Sequence, residues 1–383
     1  LGLSSVQPLP TGSVQLTSGT IKTVIASPGG SYLQAGLGSG VTLQGGPGND
    51  VLAGGYAAGG NQTLLGEGGS DILIGGIGND LMVGGTSPSL FIPGEGGDTL
   101  QSPVGGNTLL YAGAAQGIKA NLSSSAFRIP DGKPFANPNP LPALTVTGGF
   151  PFSSANIAQA GITNLIGSAF NDAVVTGGND TVNGLGGNDL FVVEPGTSTI
   201  TAGNGSSSYF LMDGAGDDVL RGGGASTLDF SLATQGVVAN LQAGQSFGGF
   251  GGTQTLSGFS TVIGSQATGV KDQLVANGQG QTLISLNGND VLEAGPTGDD
   301  TLVQTGGGND TFCSVQCVTT PSATVSNGGP NAALENRMIG GSGGNDTFFT
   351  RNTGFDFLQG GHGFNSAQID SHDTAVNIQQ LLP

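Results

Sequence analysis

The stretch "GGSDILIGGIGNDLMVGG", residues 68–85, sets paired glycines and a recurring aspartate against two apolar triplets, ILI and LMV. Glycine this dense reads as linker, yet Leu73 and Met82 stand nine residues apart in the same setting. Aligned on the aspartate, the chain gives "GGPGNDVLA" (45–53), "GEGGSDILI" (66–74) and "GGIGNDLMV" (75–83). The frame runs on as "GGTSPSLFI", "PGEGGDTLQ" and "SPVGGNTLL", five consecutive nonapeptides from residue 66 to 110 without a slip. A linker carries no phased leucine and aspartate, so the repeat is the organising feature of this chain.

The frame returns downstream. Asp172, Asp180 and Asp189 follow one another at eight and nine residues; Asp272, Gln281, Asp290, Asp300 and Asp310 do so at nine, nine, ten and ten. Asp346, Asp356 and Asn365 close the series at ten and nine, and Asp218 stands between these runs. Apolar residues two positions on, such as Leu274, Leu292, Leu302 and Phe312, keep the same phase. A longer similarity overlays the short one: "AQGIKANL" (115–122) matches "TQGVVANL" (234–241), and "GITNLIGS" (161–168) matches "GFSTVIGS" (258–265).

Within each unit, six residues rich in Gly, Asn and Asp supply turn chemistry, because they tolerate positive φ and bond their own backbone. The remaining three alternate in direction as a strand does, so the middle one, such as Leu73, points away from its neighbours. A turn and a three-residue strand, repeated, can only wind. Two units make a coil of about eighteen residues whose strands stack into two parallel sheets. Two buried aliphatic side chains per coil are a poor return for ordering so many glycines, so the turns need another source of stability.

The aspartate compounds the problem. Equivalent turns of stacked coils lie about 4.8 Å apart, which brings carboxylates close enough to repel unless a cation lies between them. Carboxylates and glycine carbonyls in an open turn form an oxygen-only set that suits Ca²⁺ better than the strictly octahedral Mg²⁺. Candidate ligands are Asp50, Asp71, Asp80, Asp98, Asp172, Asp180, Asp189, Asp218, Asp272, Asp290, Asp300, Asp310, Asp346 and Asp356. At eighteen residues, Asp80 is expected to face Asp98 and Asp272 to face Asp290; Asp172 with Asp189 and Asp290 with Asp310 come close. Asp71 faces Ser89 and then Asn107, so that column is expected to bind weakly or not at all.

The units resemble the RTX, or haemolysin-type, calcium-binding repeat, G-G-x-G-x-D-x-U-x. "GGPGNDVLA" and "GGIGNDLMV" match every fixed position, and "GLGGNDLFV" (184–192) and "LNGNDVLEA" (286–294) match most of them. The resemblance implies secretion, folding on meeting external calcium, several bound Ca²⁺ ions, and an all-β, right-handed parallel β-roll or β-helix with irregular loop excursions. Gln62, Ser89, Asn107, Ser198, Ser207 and Gln281 replace the acid, which puts sites there in doubt.

The expected organisation is one array: residues 1–44 as rungs without a repeat aspartate, then repeat blocks at 45–110, 167–230, 265–312 and 340–383. Spacer modules fill 111–166 and 231–264, and a cysteine-containing insertion fills 313–339. The segment 127–152 holds six prolines and must leave the coil, since proline cannot serve a central ladder. Cys313 and Cys317, in "CSVQC", suit a local bridge in an extracellular protein, with two free thiols as the alternative.

A net charge of −18, from 26 acidic and 8 basic residues, disfavours nucleic acid and anionic membranes and favours cations. No apolar run is long enough to span a bilayer. The chain starts at Leu1, as a processed product or a fragment would, and "LGLSSVQPLP" holds no signal peptide. His362 and His372 lack a nucleophile partner, no H-E-x-x-H occurs, and "GGSGG" around Ser342 has no strand–elbow–helix context. The expectation is a non-enzymatic, extracellular or cell-surface structural protein that self-associates into a filament or lattice. The alternative is the calcium-binding accessory region of a larger secreted enzyme or toxin.

Overall fold

Most apolar triplets become strands of three or four residues, and most strands pair in parallel with the strand two along the chain. A computed structural model describes the strand Val14–Gln15 and residues 22–36, 39–56, 60–136, 138–203, 207–297, 299–314, 335–350 and 354–382. The chain divides into two compact units, Leu1–Phe191 with Thr199–Gly203, and Val192–Ser198 with Asn204–Pro383. The fold is all-β, with a long, mostly parallel sheet consistent with a β-roll. No helix long and apolar enough to cross a membrane occurs among the described residues.

In the first unit, Ile72–Ile74 lies between Val51–Ala53 and Leu90–Ile92, while Thr63–Leu65 lies between Thr42–Gln44 and Leu81–Val83. Alternate strands therefore build two stacks. A coil takes eighteen residues where Asp80 meets Asp98 and twenty-one where Asp50 meets Asp71. The middle residue of each triplet faces inward, so Leu52, Leu73, Phe91 and Leu109 form one buried column and Leu43, Leu64, Met82 and Leu100 another. Each such side chain contributes roughly 1.5–3 kcal/mol by leaving water. The N-terminal rungs join the same pattern without an aspartate: Thr23–Ile25 pairs with Thr42–Gln44, and Val14–Gln15 with Tyr32–Gln34.

The second unit repeats the scheme. Leu228, Val262, Leu283, Leu302, Met338 and Leu358 make one inner column. Leu274, Leu292, Phe312 and Phe348 make the other, its last two rings stacked with centroids 4.8 Å apart. Cys313 is buried and disulfide-bonded; Cys317 lies outside the described residues. Within the expected insertion 313–339, Arg337–Ile339 is a ladder strand between Thr301–Gln304 and Phe357–Gln359.

Both spacer modules interrupt the parallel stack in the same way. Ile118–Asn121, Thr145–Gly148 and Ser154–Gln159 form an antiparallel trio, matched in the second unit by Val237–Asn240, Gln245–Gly248 and Thr253–Ile263. The proline-rich segment is carried largely between the first two strands of the first trio. There, buried Asn121 donates from Nδ2 to the carbonyls of Ser125 and Leu141 at 2.9 and 3.0 Å. The second trio forms without such a segment, so the hairpin follows from the "QG…AN" strand and not from proline.

Candidate metal centre

The repeat aspartates are buried, between 0 and 5% exposed, at the turn that leads into each strand. Their carboxylates do not simply face one another across coils. In each column the Oδ1 of one aspartate accepts the backbone N–H of the equivalent residue one coil earlier. Asp80 N donates to Asp98 Oδ1 at 2.9 Å, Asp50 N to Asp71 Oδ1 at 2.9 Å, and Asp172 N to Asp189 Oδ1 at 2.9 Å. The longest such column runs Asp272, Asp290, Asp310, Asp346 and Asn365, with donor–acceptor distances of 2.8, 2.9, 3.1 and 2.9 Å. Asp310 and Asp346 are thirty-six residues apart and still adjacent in the ladder.

Neutral residues fill the same rungs. Ser89 Oγ accepts from Asp71 N at 3.3 Å, Asn107 Oδ1 from Ser89 N at 2.7 Å, and Asn336 Oδ1 from Asp300 N at 3.2 Å. Gln281 passes the ladder to Asp300 Oδ1 at 2.7 Å, and Asn336 passes it to Asp356 Oδ1 at 3.0 Å. One substituted position moves: the buried rung before strand Tyr209–Met212 is Ser208, while Ser207 is exposed, so the register there is one residue later than the sequence frame places it.

The second oxygen separates the aspartates. Oδ2 of Asp71, Asp80, Asp218, Asp290 and Asp346 is buried with no hydrogen-bond partner. By contrast, Oδ2 of Asp50 accepts from Gly46 N at 2.7 Å, that of Asp98 from Gly94 N at 3.3 Å, and that of Asp300 from Gly295 N at 2.8 Å. For Asp310 the partner is the Ser285 hydroxyl at 2.7 Å. Asp180 takes the Gly177 N–H. Four residues before Asp71 and Asp80, Glu67 and Gly76 sit at φ of 70° and 98°, and there no amide reaches the second oxygen. In this respect Asp71 and Asp80 are alike. The next rung is what separates them, a serine hydroxyl for Asp71 and a carboxylate for Asp98's neighbour Asp80.

Burial is the leading cause of a raised pKa at these groups, with coulombic repulsion from a neighbouring rung added at several. It lifts Asp71, Asp98, Asp180 and Asp346 to about 6, Asp80 and Asp290 to about 7, and Asp189 to about 8. Asp172, Asp218, Asp272, Asp300 and Asp310 are raised for the same first reason. Near neutral pH the carboxylates therefore hold charge at a cost that a cation would offset.

The turns around them have the shape of a cradle. A Cβ added at Gly66 would stand 2.2 Å from Asp71 Oδ2, and one at Gly340 would stand 2.3 Å from Asp346 Oδ2. Beside Gly45 the same space is bounded by Asp50 Oδ2 and the carbonyl oxygen of Gly66, at 2.7 and 2.5 Å. Among the described residues, no three His, Cys, Asp or Glu side chains gather around one point. An ion here would be held by a carboxylate together with backbone carbonyls, the oxygen-rich, irregular set that Ca²⁺ accepts. The residues present fit that ion, with Asp71, Asp80, Asp218, Asp290 and Asp346 as the side chains best placed to hold it.

A second ladder lies outside the first, on the asparagine that precedes many of the aspartates. Asn49 Oδ1 accepts from Ser70 N at 2.9 Å, Asn79 from Gly97 N at 2.7 Å, and Asn309 from Asn345 N at 2.7 Å. Here the donor comes from the later coil, whereas the aspartate ladder takes it from the earlier one. The recurrent dipeptide Asn-Asp was the available signal. Asp373 is a further unanticipated rung: it accepts from Asp356 N at 3.1 Å, seventeen residues after that aspartate.

Fold and turns together define a parallel β-roll repeat protein whose buried acids and glycine cradles suit calcium. The family described as RTX calcium-binding nonapeptide repeat (4 copies) matches residues 38–56, 56–86, 157–191, 166–200 and 210–226. The chain carries several copies of that repeat. Its later coils, from Asp272 to Asp356, lie outside the matched residues and keep the same ladder geometry. No curated protein matches the chain.

Proposed function

We propose that this is a calcium-stabilised extracellular protein with a structural or adhesive role, a subunit of a surface layer, sheath, filament or matrix. The observation that carries this reading is the use made of the buried acids. Every repeat aspartate described is bonded into the turns of a repeating coil, the arrangement of a scaffold whose metal holds structure together. An oxidising location is supported by the disulfide at Cys313. Self-association is supported by the outward side of one stack in the first unit, where Tyr32 and Ile72 are 41 and 36% exposed and Val51 and Leu90 lie between and beyond them in register.

Calcium works in this reading by supplying positive charge beside carboxylates that burial penalises. The glycines leave room for the ion, and the Oδ1 ladder holds each carboxylate in place. Electron microscopy of the protein in millimolar calcium and after chelation tests the proposal. Filaments or sheets that disperse on chelation are expected; monodisperse single particles in both conditions overturn it.

A further inference from the structure

We infer that the repeat aspartates divide into two working classes, and that Asp172 and Asp272 are metal-independent clasps that lock each spacer module to the coils that follow it. Both are 0% exposed, and each opens a run of repeats. Asp172 Oδ1 accepts the backbone N–H of Ile118 at 2.8 Å across fifty-four residues, and Asp272 Oδ1 that of Val237 at 2.8 Å across thirty-five. A serine then closes the other side. Ser168 donates its N–H to Asp172 Oδ2 at 2.7 Å and its hydroxyl to Oδ1 at 2.6 Å; Ser265 does the same to Asp272 at 2.7 and 3.1 Å.

These contacts span the joint between the antiparallel trio and the parallel stack. Ile118 and Val237 begin the first strand of each trio, and that strand pairs in parallel with Ala173–Val175 or Gln273–Val275 immediately after the clasp. A carboxylate has about four lone-pair sites, and with three donors converging on it inside the protein little acceptor capacity is left for a cation. The recurrence of the serine that ends "GITNLIGS" and "GFSTVIGS", followed by the aspartate, in both modules argues for a shared part and against an accident of one loop.

The contrast is with Asp71, Asp80, Asp218, Asp290 and Asp346. Each is at most 2% exposed and keeps a buried Oδ2 that no donor of the protein reaches. An oxygen in that position loses the hydrogen bonds it had in water and gains none from the fold, which a bound cation would remedy. The orphan oxygens thus mark where ions belong, and the serine-clasped carboxylates mark where the chain has already provided for itself.

The division rests on the calcium reading above, and two measurements on the full chain separate them. Bound calcium is counted by equilibrium dialysis or native mass spectrometry, and amide hydrogen exchange is followed in calcium-free buffer. Asp80→Asn and Asp290→Asn are expected to lower the ion count and leave metal-free exchange at 118–121 and 237–240 unchanged. Asp172→Asn and Asp272→Asn are expected to keep the ion count and speed metal-free exchange at those strands about ten- to a hundredfold. Because those variants alter a fully buried acceptor of the fold, Ser168→Ala and Ser265→Ala, which spare the backbone donor, serve as milder tests and are expected to do the same to a smaller degree. Loss of ions in Ser168→Ala or Asp172→Asn, or unprotected strands in the metal-free wild type, overturns the inference. Wild-type protein that binds no calcium but protects these strands overturns the calcium reading and leaves the clasps standing.

Discussion

At the scale of the residue, the aspartate has two tasks that the nonapeptide pattern merges. Oδ1 continues a ladder of backbone amides, which serine, asparagine or glutamine performs without charge. Oδ2 is the atom through which an acid differs from those substitutes, and at Asp71, Asp80, Asp218 and Asp346 it stands buried beside a glycine with no donor. Gly66→Ala is therefore expected to destabilise the calcium-loaded protein by about 1–3 kcal/mol through overpacking, read as a lowered melting temperature. Gly105→Ala, where an added Cβ meets nothing within 4 Å, serves as the control and should leave it nearly unchanged. Proton linkage acts at the same atoms. Folded-state values of about 6 to 8, above the ordinary aspartate value of 3.8, mean the metal-free fold is favoured by these groups below about pH 4 and loses that support as pH rises through 6 to 8. In calcium-free buffer the melting temperature should fall between about pH 5 and 8, and millimolar calcium, which binds the deprotonated form, should abolish or reverse the fall. A calcium-free melting temperature that rises over that interval contradicts the assignment.

At the scale of the element, three residues make a strand too short to stand alone, and each is stabilised by register with the strands before and after it. One inward side chain per strand carries the packing. Leu73, at 0% exposed between Leu52 and Phe91, should cost about 2–5 kcal/mol when replaced by alanine, because stacked coils cannot collapse into the gap. Ile72, its outward neighbour at 36% exposed, should tolerate threonine within about 0.5 kcal/mol. Urea unfolding in calcium compares the two. Equal costs would mean the inner column is not where the coil gains its stability.

At the scale of the molecule, calcium binding is expected to be coupled to the ordering of the repeat coils. A titration of chelated protein followed by circular dichroism should show β signal gained over the millimolar calcium range, with the clasped spacer modules structured before the remaining coils. No gain of β signal would refute calcium-coupled folding.

Much of this was legible from residues alone. A nine-residue frame with one large apolar residue and one acid requires a two-strand coil, since no other backbone path returns both to the same place every eighteen residues. The neighbour pairs Asp80 with Asp98 and Asp272 with Asp290 follow from that arithmetic, and both appear in the ladder. What the frame could not carry were contacts across irregular lengths: Asp310 beside Asp346, Ile118 bonded to Asp172, and the one-residue shift to Ser208. Nor could spacing tell a satisfied carboxylate from an orphaned one, because that depends on whether a particular amide turns toward the oxygen or away. Periodicity dictates which residues stack; only the folded turn decides which of their atoms remain unpartnered, and so where a cation would offset a buried charge.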